Sequence, residues 1–158
     1  MHTQSLGKDN REDRLRDPGP LPLSASTHEA DRLLKLHIDI RWLLDRQEEL
    51  LGKDLGILDY SGLVAAVARH RVNTPALGDE PDAYWRAAAL LEQIVLLRPL
   101  PARNEYFGYG VAVAYIRASG KTVDDAFEPW RDLITQIRAL RLNVYDIADR
   151  LRSLRPGS

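Results

Sequence analysis

The chain of 158 residues contains no cysteine. This absence excludes a disulfide scaffold, a thiolate metal site, a catalytic cysteine and a thiol redox role. A chain of this length buries roughly 70% of its unfolded surface, so a core can form without a disulfide or metal. With 44% hydrophobic and 28% charged residues, the composition indicates one soluble globular domain.

Long apolar runs are also missing. The longest ones, such as residues 107–116, fall far short of the ~20 residues that cross a bilayer. Residues 1–17 mix four cationic with four anionic side chains and lack the apolar stretch of a signal peptide. We therefore expect a cytoplasmic protein with no membrane partner.

The chain has no overall excess of positive charge, because its formal net charge is −1. Nucleic-acid binding requires a basic face, so we expect no nucleic-acid partner. Positive charge is concentrated locally, since residues 131–158 hold six arginines and three aspartates, a difference of +3. Either a solvated helical face or attraction to an acidic partner explains this difference.

Helical periodicity dominates the rest of the chain. Apolar spacing and turn-forming residues predict an all-α fold without strands. Residues 1–26 are polar and rich in glycine and proline, which predicts a disordered tail; residues 27–158 then form one helical domain. The six helices are predicted at about residues 27–51, 60–70, 81–98, 104–119, 122–140 and 143–154.

Capping residues mark the ends of these helices. Ser26 and Glu29 have the spacing of a capping box, Asn104 suits the N-cap of the fourth helix, and Gly120 suits its C-terminal end. The fourth helix is apolar on nearly all sides, so we expect it at the centre of the bundle. Its two internal glycines lower helix propensity, which close packing or a ligand must offset.

The order of several motifs resembles the Fic/Doc family, specifically its Doc-like branch. The resemblance spans residues 28–153 and implies a Fic/Doc-like helical bundle. The motifs that carry it are Leu-Lys-Leu-His at 34–37, Lys-Asp-Leu-Gly-Ile-Leu at 53–58, the helical segments 63–69 and 84–91, and the closing segment 142–151.

The loop that carries the family's chemistry reads His-Pro-Phe-x-Asp/Glu-Gly-Asn-Gly/Lys-Arg. Here residues 98–106 read Arg-Pro-Leu-Pro-Ala-Arg-Asn-Glu-Tyr without a gap, and only Pro99 and Asn104 are retained. Arg98 replaces the general-base histidine, and an arginine stays protonated and cannot accept a proton. Ala102 replaces the acid that holds Mg²⁺ and has no side-chain oxygen ligand.

The phosphate-binding positions of that loop are changed as well. Arg103 stands at the family's glycine, and Tyr106 stands at its phosphate-pairing arginine. Glu105 repels a triphosphate, although Arg98 and Arg103 restore positive charge nearby. We therefore expect neither nucleotidyl nor phosphoryl transfer, and we predict no cofactor and no metal site.

Two functions remain open, and in either case the chain could form a homo-oligomer. In the first, the chain is a non-transferase whose degenerate cleft binds a small anionic ligand or a protein partner. The protein partner would correspond to the antitoxin that accompanies a Doc-type toxin. In the second, the cleft is a repurposed enzyme site. Arg98 and Arg103 would then hold a carboxylate or phosphate while Glu105 and Tyr106 act as catalytic acid and base.

Three further residues are candidate ligand contacts. Asn104 lies in the loop, and His70 and Arg71 end the second helix in a basic cluster. A structural interpretation is equally available, because a basic helix end is stabilised by the helix dipole. In that interpretation Arg98 and Arg103 are surface residues, Asn104 is a cap, and Glu105 is a first-turn acid.

Overall fold

Every regular element in the two ranges that this computed structural model describes, residues 36–73 and 81–156, is an α-helix. This confirms the predicted all-α class, whereas the predicted tail of residues 1–26 lies outside the described residues. None of the described helices is long and apolar enough to cross a bilayer. The six helices are α1 (Ile40–Leu51), α2 (Tyr60–His70), α3 (Ala83–Leu97), α4 (Asn104–Ala118), α5 (Phe127–Arg138) and α6 (Val144–Ser153).

Helix α3 lies at the centre of the bundle. It packs against α2, α4, α5 and α6, and ten of its 15 residues are buried. The prediction that α4 is central is therefore not confirmed. Three fully buried alanines, Ala87, Ala88 and Ala89, let neighbouring helices approach α3 from several sides, whereas Tyr106 and Tyr109 of α4 are partly exposed.

Helix α4 nevertheless packs closely against two neighbours. A Cβ on Gly108 would lie 3.2 Å from Leu91 and 3.3 Å from Val95 of α3, and a Cβ on Gly110 would overlap the Leu50 side chain of α1. Close packing therefore accounts for both glycines inside this helix. The helix ends close to the predicted position: its last residue is Ala118, its C-cap residue is Ser119, and Gly120 then adopts a left-handed φ of 76°.

The first helix begins later than predicted. Residues 36–39 are not helical, and α1 starts after Asp39, whose carboxylate accepts a hydrogen bond from the Trp42 N–H at 2.9 Å. The N–H and C=O of Ile38 bind side chains at the end of α2 instead of a helical neighbour. The predicted capping box at Ser26 and Glu29 lies outside the described residues.

The fifth helix also begins late, at Phe127 instead of residue 122. Two donors hold the preceding segment in a non-helical path: the Trp130 indole N–H binds the Asp124 carbonyl, and the Ala126 N–H binds the Asp124 carboxylate. Helix α6 begins as predicted, after Asn143.

Candidate functional site

The loop between α3 and α4 is bounded by two arginines in left-handed backbone conformations. Arg98 has a φ of 49° and Arg103 a φ of 61°, a conformation that costs a residue with a side chain about 1–2 kcal/mol. Both lie at helix ends: the Arg98 N–H binds the Ile94 carbonyl at 3.1 Å, and the Arg103 carbonyl accepts from the Phe107 N–H at 3.0 Å. The two helices therefore fix where this loop starts and stops.

Asn104 holds the middle of the loop. It is 1% exposed, its Oδ1 accepts from the Leu100 N–H, and its Nδ2 donates to the Leu100 carbonyl, each at 2.9 Å. The N-cap residue of α4 is Arg103, which makes no side-chain capping bond. The prediction of Asn104 as N-cap is therefore wrong, because its amide is turned inward onto the loop backbone.

Glu105, in the first turn of α4, receives two guanidinium groups on one oxygen. Its Oε1 lies 2.7 Å from Arg98 Nη1 and 3.3 Å from Arg138 Nη1. Arg98 follows the last residue of α3, and Arg138 is the last residue of α5. Three elements thus meet at one carboxylate, and we call Arg98, Glu105 and Arg138 the arginine–glutamate cluster.

The pKa of Glu105 lies below its ordinary value. Partial burial alone would raise this pKa, but hydrogen bonds from Arg98 and from the residue's own backbone N–H, together with the charges of Arg98 and Arg138, outweigh that effect. A carboxylate with a lowered pKa stays charged at neutral pH and is a weak proton acceptor. The geometry suits a counter-ion better than the predicted catalytic acid or base.

Aromatic rings extend from this cluster between α4 and α5. The Arg103 guanidinium lies 5.0 Å from the centre of the Tyr106 ring, a cation–π arrangement. Ring centres are 5.9 Å apart for Tyr106 and Tyr109, 5.3 Å for Tyr109 and Phe127, and 5.2 Å for Tyr109 and Trp130. We call Tyr106, Tyr109 and Phe127 the aromatic strip. The fully buried Trp130 packs against its Tyr109 ring.

His70, a predicted ligand contact, is a buried residue that binds the backbone of its own chain. Its Nε2 accepts from the Ile38 N–H at 3.0 Å, and its Nδ1 donates to the Val67 carbonyl. Burial lowers its pKa from 6.5 to about 4; the bond to Val67 opposes this change, and the nearby cations, Arg71 first among them, add to it. His70 is therefore neutral at pH 7, with its proton on Nδ1.

Arg71, the second predicted contact on α2, also binds residues 36–38. Its Nε and Nη2 donate to the Ile38 carbonyl at 3.1 and 2.7 Å. The Tyr115 hydroxyl donates to the Leu36 carbonyl, and its ring centre lies 5.9 Å from that of His70. Together these side chains fasten the segment before α1 to the ends of α2 and α4.

The predicted site residues therefore fall into two separate groups. Tyr115, which touches the His70 group, lies ten positions after Glu105 on α4, about 15 Å along the helix axis. The structure brings together Arg98, Glu105, Arg103 and Tyr106, and it holds His70 and Arg71 near the other end of that helix. The described residues include no group of three or more histidine, aspartate or glutamate side chains placed to hold a metal ion.

Arg138 is the site residue that the sequence did not single out. It lies 33 positions after Glu105, and no local pattern links the two. The only available signal was the arginine excess of residues 131–158, which left a solvated face and an acidic partner as alternatives.

Comparison with known proteins adds no functional assignment. No family model matches the chain, and no curated protein matches its sequence. The Fic/Doc resemblance therefore stays a prediction from the motifs, and the functional argument rests on the geometry of the arginine–glutamate cluster.

Proposed function

We propose that the chain is a Fic/Doc-like protein that catalyses no group transfer and that binds a carboxylate or phosphate group through Arg98 and Arg138. The supporting observation is that both guanidinium groups already contact one carboxylate oxygen, that of Glu105. Their spacing therefore suits an oxyanion, the group for which the planar donors of arginine are best adapted. In this proposal Glu105 occupies the place that an external anion takes when it binds.

Local charge favours an anion at this position. The cluster and Arg103 together carry three positive charges and one negative charge, whereas the whole chain has a net charge of −1. The N-terminus of α4 adds the positive end of a helix dipole. The two arginines of the cluster are about half exposed, at 49% and 58% of their side-chain surface, so an external anion can reach them.

A cytoplasmic location remains a prediction from the composition of residues 1–17.

The alternative, a repurposed enzyme, has less support from the same geometry. Glu105 is engaged by two arginines and has a lowered pKa, so it is a poor acid or base at neutral pH. Arg98 cannot accept a proton, and Ala102 offers no side-chain oxygen to a metal. Tyr106 is covered on one face by Arg103. Binding without turnover fits these features better.

Calorimetric titration with sodium phosphate and with citrate, at low ionic strength and pH 7.5, tests the proposal. We expect Arg138→Gln to weaken binding of either anion about tenfold, the loss of one charge-assisted contact. The matched control is Arg131→Gln, which removes an exposed arginine from the same helix and leaves the cluster intact. Equal affinities for the wild-type and Arg138→Gln proteins would overturn the proposal.

A further inference from the structure

The aromatic strip starts one residue after Glu105 and continues away from the arginine–glutamate cluster. Tyr106 follows Glu105 directly, and Tyr109 lies four residues after Glu105, about 6 Å along the helix axis. Helix α5 contributes to both ends, because Phe127 contacts Tyr109 and Arg138 contacts Glu105. Charged and aromatic side chains therefore form one continuous surface between α4 and α5.

This surface is open. Phe127 is 43% exposed, Arg98 and Arg138 are about half exposed, and both tyrosines of the strip are partly exposed. Sites for small molecules enclose most of the ligand surface, which an open surface of this kind does not do. Arginine and aromatic side chains around a rigid base are instead the residues that dominate binding between proteins.

The net charge differs between the two ends of this surface. Arg98, Arg103 and Arg138 against Glu105 leave two net positive charges at one end. At the other end the Tyr109 hydroxyl binds the Asp125 carbonyl, and the Asp125 carboxylate is paired with Arg117 at 2.9 Å. The carboxylate of Asp124 also acts on Tyr109, so this end has no excess of positive charge. A complementary partner therefore has its acidic group at the cluster and its apolar group over the strip.

We infer that the anionic group bound at Arg98 and Arg138 is a carboxylate of an acidic peptide segment of a partner protein, which also lays an aromatic side chain on the strip. This inference rests on the proposed function and names the ligand of the same site. In an extended peptide, side chains two positions apart lie about 6.6 Å from one another, close to the step from Glu105 to Tyr109. The segment therefore carries its carboxylate two residues from its aromatic residue.

The test measures fluorescence anisotropy with a dye-labelled peptide, acetyl-Gly-Glu-Ser-Phe-Ser-Gly-amide, and the full chain at low ionic strength. Two companion peptides replace Phe by Ala and Glu by Gln. We expect each replacement to weaken binding about tenfold, because each removes one of the two anchors. These comparisons use the unaltered protein, so they do not depend on whether a variant folds.

A variant of the protein locates the aromatic contact. Tyr106→Ala is expected to weaken binding of the Phe peptide about tenfold, since it removes the surface for the aromatic side chain. Binding of the Ala peptide should be unchanged. Tyr60→Ala is the matched control, because Tyr60 is 56% exposed and lies on α2, outside the strip. Phe127→Ser provides a second variant at a more exposed position of the strip.

The outcomes separate this inference from the proposed function. Binding that depends on the peptide's Glu and on Arg138, but not on its Phe, overturns the peptide inference and leaves anion binding in place. Binding of phosphate and citrate without any binding of the Phe peptide likewise overturns the peptide inference and leaves anion binding in place. If neither the anions nor the peptides depend on Arg138, both the inference and the proposed function are wrong.

Discussion

The buried side chain of Asn104 hydrogen-bonds both backbone groups of Leu100, each at 2.9 Å. It thereby closes the loop that carries Arg98 and Arg103, and because it is 1% exposed it presents no polar group to an external ligand. Asn104 is one of two loop residues that match the Fic/Doc pattern. In this chain its contacts maintain the shape of the loop, while the residues around it differ from the family's catalytic set.

Asn104→Ala should lower the free energy of unfolding by about 2–3 kcal/mol, because it leaves two buried backbone groups of Leu100 without a partner. Urea denaturation followed by circular dichroism measures the change. Asn143→Ala is the comparison, since it removes an exposed N-cap that contributes about 1 kcal/mol. A cost for Asn104→Ala no larger than that for Asn143→Ala would contradict the role given to this side chain.

Stability should depend on pH through His70. Its pKa is about 4 in the folded protein and about 6.5 in the unfolded chain, so the unfolded state binds more protons between these values. Stability is therefore fully present above pH 6.5 and is lost as the pH falls toward 4, with about 2 kcal/mol gone at pH 5 relative to pH 7.

Urea titrations at pH 7 and pH 5 test this dependence. His70→Gln should lower stability at pH 7 and remove most of the difference between the two pH values. His37→Gln is the comparison: this exposed residue lies beside His70 with ring centres 6.1 Å apart, and its charge is a minor cause of the lowered His70 pKa. It should therefore remove only a small part of the difference. A wild-type stability that is unchanged between pH 7 and pH 5 would show that His70 does not have a lowered pKa.

Leu140 offers a site for stabilisation. It follows α5 with a left-handed φ of 57° and is 75% exposed, so its side chain gains little from packing while its backbone is strained. Leu140→Gly should raise the free energy of unfolding by about 0.5 kcal/mol, the relief of strain exceeding the entropy cost of glycine. Ala139→Gly, one residue earlier at a φ of −77°, should lower it. If Leu140→Gly lost as much stability as Ala139→Gly, the backbone at Leu140 would not be strained.

Local signals in the sequence predicted a large part of the fold. Helix α2 has the bounds that its apolar stripe predicts, and α6 begins after Asn143, where the side chains of Asn143 and Asp146 form a capping box. Gly120 likewise ends α4 as its conformational freedom suggests. In each case the determining residues lie within one or two turns of each other.

The failures involve residues that are distant in the sequence. Residues 36–39 leave the predicted helix because Ile38 binds His70 and Arg71, more than 30 positions later. The candidate site was incomplete for the same reason, since Arg138 joins Glu105 only through the packing of the bundle. Periodicity and capping rules carry no information about such pairs.

Anion binding by the Glu105→Gln protein tests the central claim most directly. If Glu105 occupies the position of an external anion, Glu105→Gln frees Arg98 and Arg138, and titration with sodium phosphate should show several-fold tighter binding than in the wild type. Glu128→Gln, on α5, makes the same change in net charge without touching the cluster and should have little effect. Binding that is tightened equally by the two substitutions, or weakened by Glu105→Gln, would contradict the account.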